Sequence, residues 1–297
     1  MIPELAEWQF ALGDVVLGAG TDIPVGNVEG LGTAEARTQD ADNPAGDGVF
    51  PGVDLYGART VRLEAGIRTP AAPDRALDLL ARLQQTATDP AVRLTPGAMN
   101  VLRMRWPGRP ARRLYGRLRR VEATSTATAV SGWIPLDLEF VAADPLFYAD
   151  DTSTLTLPLS AGGLGGLRAP LVAPLTTGVA IPHERRGWVT NGGDRPAWPS
   201  LRITGPCTHP RIRHAETGQV IELAVALQTG EHIDIETRPG TRWVLKDGAH
   251  NLAPALSAAS RLDFALPPGT SELWWTARNY TNSTRLRVTW HAAHAAL

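Results

Sequence analysis

Along most of the chain, apolar and polar positions alternate with a period of two. In residues 58–68, Val61, Leu63, Ala65 and Ile67 fall on one side, and Arg62, Glu64 and Arg68 on the other. That is the pattern of a strand with one buried face. Residues 133–142 repeat it with Ile134, Leu136, Leu138 and Phe140. Residues 92–94, 100–106 and 113–123 read as further strands. One stretch breaks the period. Pro73, a residue that the first helical position tolerates, opens a helix predicted over residues 73–87, and Asp89-Pro90 closes it. Its stripe is Ala76, Leu80, Leu83 and Ala87, widened by Leu77 and Leu79. Upstream, residues 8–31 hold short apolar pieces between Gly18, Gly20, Pro24 and Gly26, which suits hairpins. Residues 33–57 are polar, with two Pro and four Gly, and predict a long exposed loop.

The second half is read in the same way. Residues 150–187 form a transition, with a strand at 154–159, the run Gly162-Gly163-Leu164-Gly165-Gly166, and Pro170, Pro174 and Pro182. Asn191-Gly192-Gly193 predicts a turn through positive φ. Leu201 and Ile203 then oppose Arg202 and Thr204 on a half-buried strand. Strands are expected at 220–227, 232–237, 241–246, 262–266, 272–278 and 285–291, with Asp247-Gly248 as a hairpin signal. Short strands at this spacing predict a β-sandwich. The expectation is a mainly β chain: a β-barrel-like α+β domain with one helix over 1–149, a linker over 150–187, and a sandwich over 188–297.

Composition narrows the function. A length of 297 residues suits two cores. Net charge is −1, so no global field draws the chain to nucleic acid or an anionic membrane. All of the 29 basic residues except Lys246 are Arg. Cys207 is the single cysteine, which excludes an intrachain disulfide. The first residues lack a basic n-region, so no secretory signal is expected, and no apolar run reaches the ~18 residues of a spanning helix, so no membrane insertion is expected.

Candidate chemistry is sparse. Asp40, Asp42 and Asp47-Gly48 have the look of a calcium loop, but Ala45 stands where the turn glycine belongs and Pro51 where the bidentate Glu belongs. Asp234 and Glu236 could be paired glycosidase carboxylates, although strand alternation accounts for them equally. His209 and His214 have no ligands at zinc spacing, and no G-x-S-x-G elbow occurs. No enzyme activity and no cofactor are expected. The Arg cluster is more distinctive: Arg103, Arg105, Arg109, Arg112, Arg113, Arg117, Arg119 and Arg120 lie within 18 residues that hold no carboxylate. A solvated strand face explains many such runs. The alternative is that these guanidiniums meet Asp40, Asp42, Asp47 and their acidic neighbours on an adjacent subunit. Trp274 and Trp275 are consecutive in a strand and must leave on opposite faces. One can fill the sandwich core, and the other would be an outer contact for protein or sugar.

The combination resembles the siphophage distal tail proteins, the Dit-like family. NGGDRPAWPSLRITGPCTHPRI at 191–212 is similar to the family's N-x-G-D-x-x-x-x-P-x-I-x-I-x-G pattern and the strand that follows, with Leu201 replacing an Ile. TGQVIELAVALQTGEHIDIET resembles its hairpin, TRWVLKDG its next strand and turn, and LPPGTSELWW the start of a later strand. In the first half, residues 35–67 resemble the family's Arg and acidic loop before a G-R-x-I-x-L strand, and PLDLEFVAADPLFY its closing strand and D-P-x-x-Y linker. Residues 150–187 match no family motif. The resemblance implies a homo-hexameric ring at the virion tail tip, made in the bacterial host cytoplasm. The first domain would form the ring and a galectin-like β-sandwich would face outward. Partners would be the tail-tube protein, the tail hub protein and host-adhesion or receptor-binding proteins, with DNA only as passing cargo. The rival expectation is a carbohydrate-binding module for host-surface recognition, although the sugar-binding runs of galectins are missing from the sequence.

Overall fold

The computed structural model describes residues 4–159 and 185–297. Two compact units divide the chain: Met1–Asp151 with His294–Leu297, and Thr152–Ala293. The second unit therefore interrupts the first, which the last four residues rejoin.

The first unit is built on one antiparallel sheet. Its strands run in the order Val15–Gly18, Gln9–Leu12, Asn100–Arg105, Arg112–Ala123, Trp133–Ala142, Arg59–Arg68 and Val25–Glu29. Phe147–Ala149 adds to Arg112–Ala123 and pairs with Ala293–His294. The two ends of this order are almost consecutive in sequence. A flat sheet with six gaps would set them about 29 Å apart, whereas the connection from Gly18 to Val25 can reach only about 24 Å. Moreover, the Gly18 amide donates to the Ile23 carbonyl at 2.8 Å. The sheet must roll, which gives the expected barrel-like form.

Inward positions of every long strand meet in one core, with Phe10, Leu63, Leu102, Leu114, Leu138 and Phe140 fully buried. Helix Pro73–Thr88 covers the core through Ala76, Leu79 and Leu83. Burying each Leu is worth roughly 1.5–3 kcal/mol. Leu77, predicted to widen the stripe, is exposed. Residues 92–94 are not a strand. Pro90 starts a short helix, Pro90–Arg93, which Asp89 caps by accepting from the Ala91 amide at 2.9 Å. A proline that ends one helix is here the tolerated first residue of the next.

The second unit is a sandwich of two antiparallel sheets. The six-stranded sheet runs Ser153–Pro158, Arg285–Trp290, Ser200–Thr204, His232–Glu236, Trp243–Lys246, His250–Asn251. The five-stranded sheet runs Arg185–Asn191, Gly269–Arg278, Cys207–His214, Val220–Glu222, with Ala226–Leu227 also on Cys207–His214. Leu201, Ile203, Ile233, Ile235 and Val288 from one sheet and Val189, Ile212, Leu273 and Trp275 from the other form its interior. This layout is compatible with a galectin-like sandwich. Residues 262–266 form no strand; Leu266 makes an isolated bridge to Ala197. Ser153–Pro158 pairs along its length with Arg285–Trp290, so the sandwich begins inside the 150–187 transition. The Gly162–Gly166 run and the prolines at 170, 174 and 182 lie outside the described residues.

Candidate assembly interface

Residues 33–57 are exposed, as expected, but they are not an irregular loop. Ala36–Arg37 pairs with Leu55–Tyr56, and further out Ala41–Asp42 pairs with Val49–Phe50. These two short ladders make a hairpin arm. At its tip the Asn43 carboxamide oxygen accepts from Ala45 at 3.0 Å, and between the ladders Asp40 accepts from the Gly52 amide at 2.8 Å. Five of the eleven exposed large apolar side chains of the described residues are on this arm: Val49, Phe50, Val53, Leu55 and Tyr56, with Phe50 58% and Val53 62% exposed. Its charged residues are Glu35, Asp40, Asp42, Asp47 and Asp54 against Arg37 alone. The arm is at once acidic and greasy. Among the described residues no three His, Cys, Asp or Glu side chains gather as metal ligands would.

The base of the arm is fixed by a residue that the alternation hid. Arg59 lies in phase with Val61 and Leu63, on the buried side, and is 4% exposed. Its guanidinium donates to the carbonyls of Gly30 at 3.0 Å, Gly32, and Pro145 at 3.0 Å, and lies over the Phe147 ring. Burial pushes its pKa down from the ordinary Arg value. A charged residue on the apolar phase of a strand was the signal that could have revealed it.

The Arg cluster divides. Arg103 and Arg113 do not wait for a neighbour. Both close on Asp150 of their own chain, at 2.5 and 2.8 Å, with the Asp150 side chain only 10% exposed. Burial alone would raise the Asp150 carboxyl, but hydrogen bonds from both guanidiniums and their charges overcome it and hold the pKa below the usual Asp value. Arg105 donates to the Leu5 carbonyl at 2.8 Å, and Arg117 to Ala98 at 3.1 Å and Thr95 at 3.0 Å. Arg120 is exposed and pairs with Glu122 and Asp137. Arg119 is exposed and has no hydrogen-bond or ion-pair partner among the described residues. It lines a cleft of about 730 Å³ between the helices and strand Arg112–Ala123, together with Arg93, Arg117, Val92, Ala87 and Leu118. Arg93, which sequence reasoning did not single out, is likewise exposed and uncommitted among the described residues. The first unit thus carries an acidic apolar arm and a half-apolar cleft with two open guanidiniums.

In the sandwich, Trp275 is the inward one of the pair, fully buried, with Nε1 donating to the Leu157 carbonyl at 3.1 Å. Trp274 is on the outer face, paired in register with Arg186 and Arg213. Both guanidiniums lie over its ring, at 4.5 and 4.8 Å. Trp188, on the same face and 63% exposed, and Trp243 on the opposite sheet were not singled out from the sequence. Asp234 is held by Arg202 and does not stand free as half of a carboxylate pair.

Residues 192–294 match the family model for the siphovirus-type tail component, C-terminal domain. The whole chain is similar in fold to the Dit protein (gp 19.1) of phage SPP1, described as a hub adsorption apparatus paradigm for phages infecting Gram-positive bacteria. Identity is 14%, the match covers 96% of this chain and 98% of that one, and the TM-score is 0.55. A chain of the phage P2 baseplate in its activated, calcium-containing conformation matches at 12% identity, 95% and 97% coverage and a TM-score of 0.59. No curated protein sequence matches the chain.

Proposed function

We propose that this chain, a Dit-like distal tail protein by its C-terminal domain and its fold, is a structural ring subunit at the tip of a long phage tail. Six copies join head to tail around an axis and close, leaving a passage for DNA. The ring links the tail-tube protein to the tail hub and gives host-adhesion proteins a place to attach. It acts by shape, without turnover of a substrate.

The observation that carries the reading is the arm, whose Val49, Phe50, Val53, Leu55 and Tyr56 remain about half exposed. Seated in the cleft of the next copy, it would bury Phe50 and Val53 and bring its carboxylates to Arg93 and Arg119. Two mutually complementary patches at different places on one subunit make a heterologous interface, which closes a ring when the rotation between copies closes.

Native mass spectrometry and negative-stain imaging, with the hub protein added, test the proposal. A six-fold particle is expected. Arg93→Glu with Arg119→Glu should weaken association about ten-fold or more, as reversed interfacial charges do, while the subunit stays folded. A ring that forms equally well with residues 38–53 replaced by a short turn would overturn the arm's role.

A further inference from the structure

The outer face of the six-stranded sheet carries a hollow lined by residues other than those of the arm and the cleft. Two adjacent cross-strand rows meet there. One runs Thr289, Ser200, Glu236, Trp243, and the other Arg287, Arg202, Asp234. Between them is a hollow of about 350 Å³, at the lower end of the size range for small-molecule sites. Trp243 stands at one side, 40% exposed. At the centre Arg202 and Asp234 make a bidentate pair, Nε to Oδ1 at 2.5 Å and Nη2 to Oδ2 at 3.0 Å. Arg287 sits directly across from Arg202 on the neighbouring strand. Like charges in that position are destabilising, and Arg287 is exposed with no hydrogen-bond or ion-pair partner among the described residues.

We infer that this hollow binds a neutral saccharide, with Trp243 as the stacking surface and Arg287, Glu236 and the Arg202–Asp234 pair as the hydroxyl readers. The chemistry selects the ligand class. An indole offers a flat apolar face to the C–H side of a pyranose ring. Guanidinium and carboxylate present planar, fixed donors and acceptors that match neighbouring hydroxyls. The bidentate pair holds two of these groups in place before the ligand arrives, which lowers the ordering cost of binding. Two guanidiniums and two carboxylates leave the hollow without net charge, whereas a polyanion would need a positive field. Trp274 is less suited, because two guanidiniums already lie over its ring. The inference does not rest on the ring: the residues belong to the sandwich and bind or fail to bind whether or not six copies assemble.

The test is a glycan array of neutral hexose and N-acetylhexosamine oligosaccharides probed with the full chain, followed by calorimetric titration of the best binder. Trp243→Ala should weaken binding about ten-fold, the upper range of one aromatic contact, and Arg287→Ala should weaken it measurably. Trp243→Phe should keep most of the affinity, and Trp188→Ala all of it. No binding of the wild-type chain at millimolar saccharide would overturn the inference. So would binding that survives Trp243→Ala, or binding confined to sulfated or phosphorylated polymers and abolished by salt.

Discussion

Asn191 shows how much one side chain organises. It is buried, and its amide nitrogen donates to the carbonyls of Arg195 at 2.7 Å and Leu266 at 3.0 Å. Its oxygen accepts from Gly193 at 3.1 Å and Ala293 at 3.4 Å. The glycines after it differ in need. Neither has the positive φ that the Asn-Gly-Gly sequence suggested. A Cβ on Gly192 would meet nothing within 4 Å, whereas one on Gly193 would stand 1.8 Å from the Ala293 carbonyl oxygen. Gly193→Ala is therefore expected to cost about 2–4 kcal/mol in denaturant unfolding, and Gly192→Ala under about 1 kcal/mol. Asp150 is the second residue of this kind. Its carboxylate, with pKa lowered in the folded chain, contributes stability fully above the unfolded Asp value and loses it as pH falls through the folded one. Asp150→Asn should cost about 2–4 kcal/mol at neutral pH, because a carboxylate that is 10% exposed and takes bonds from both Arg103 and Arg113 is lost. It should also flatten the loss of stability in pH titrations from about pH 4 downward.

Elements with one wet and one dry face were legible; those without were not. Strands Arg59–Arg68 and Trp133–Ala142 alternate in sequence and in burial alike. The arm defeated the same reading because its ladders are two residues long and exposed on both sides, so no period can form. Residues 92–94 failed for a related reason: three residues carry no periodicity, and a proline's role depends on which side of it the helix lies. Of the candidate site, the arm's acids and the split of Trp274 and Trp275 between two faces were visible in the chain, though not which of the two is outside, while the Arg103–Asp150–Arg113 clamp was not. Its members are 47 and 37 residues apart in sequence and meet only through the sheet. Arg59 belongs to this scale because it holds an element and not a core. Arg59→Leu removes the donor from the carbonyls of Gly30, Gly32 and Pro145. Amide exchange over residues 33–57 should then quicken about ten-fold or more, with a global loss of about 1–3 kcal/mol. Arg59→Lys should restore only part of the protection.

At the scale of the molecule, the two halves have different surfaces. The first unit concentrates exposed apolar residues on one projecting arm and open guanidiniums beside one cleft. The sandwich offers instead two outer sheet faces carrying Trp188 and Trp243. The proposed ring and the inferred saccharide site would divide the labour, with association in the first unit and ligand contact in the second. Connectivity has a consequence of its own. Since the polypeptide leaves its first unit after Asp151 and re-enters it at His294, everything between behaves as a cassette spliced into an otherwise continuous scaffold. A foreign insert whose ends are tied at those two points is expected to take its place, so that one surface can be exchanged for another without touching the strands that precede Asp151.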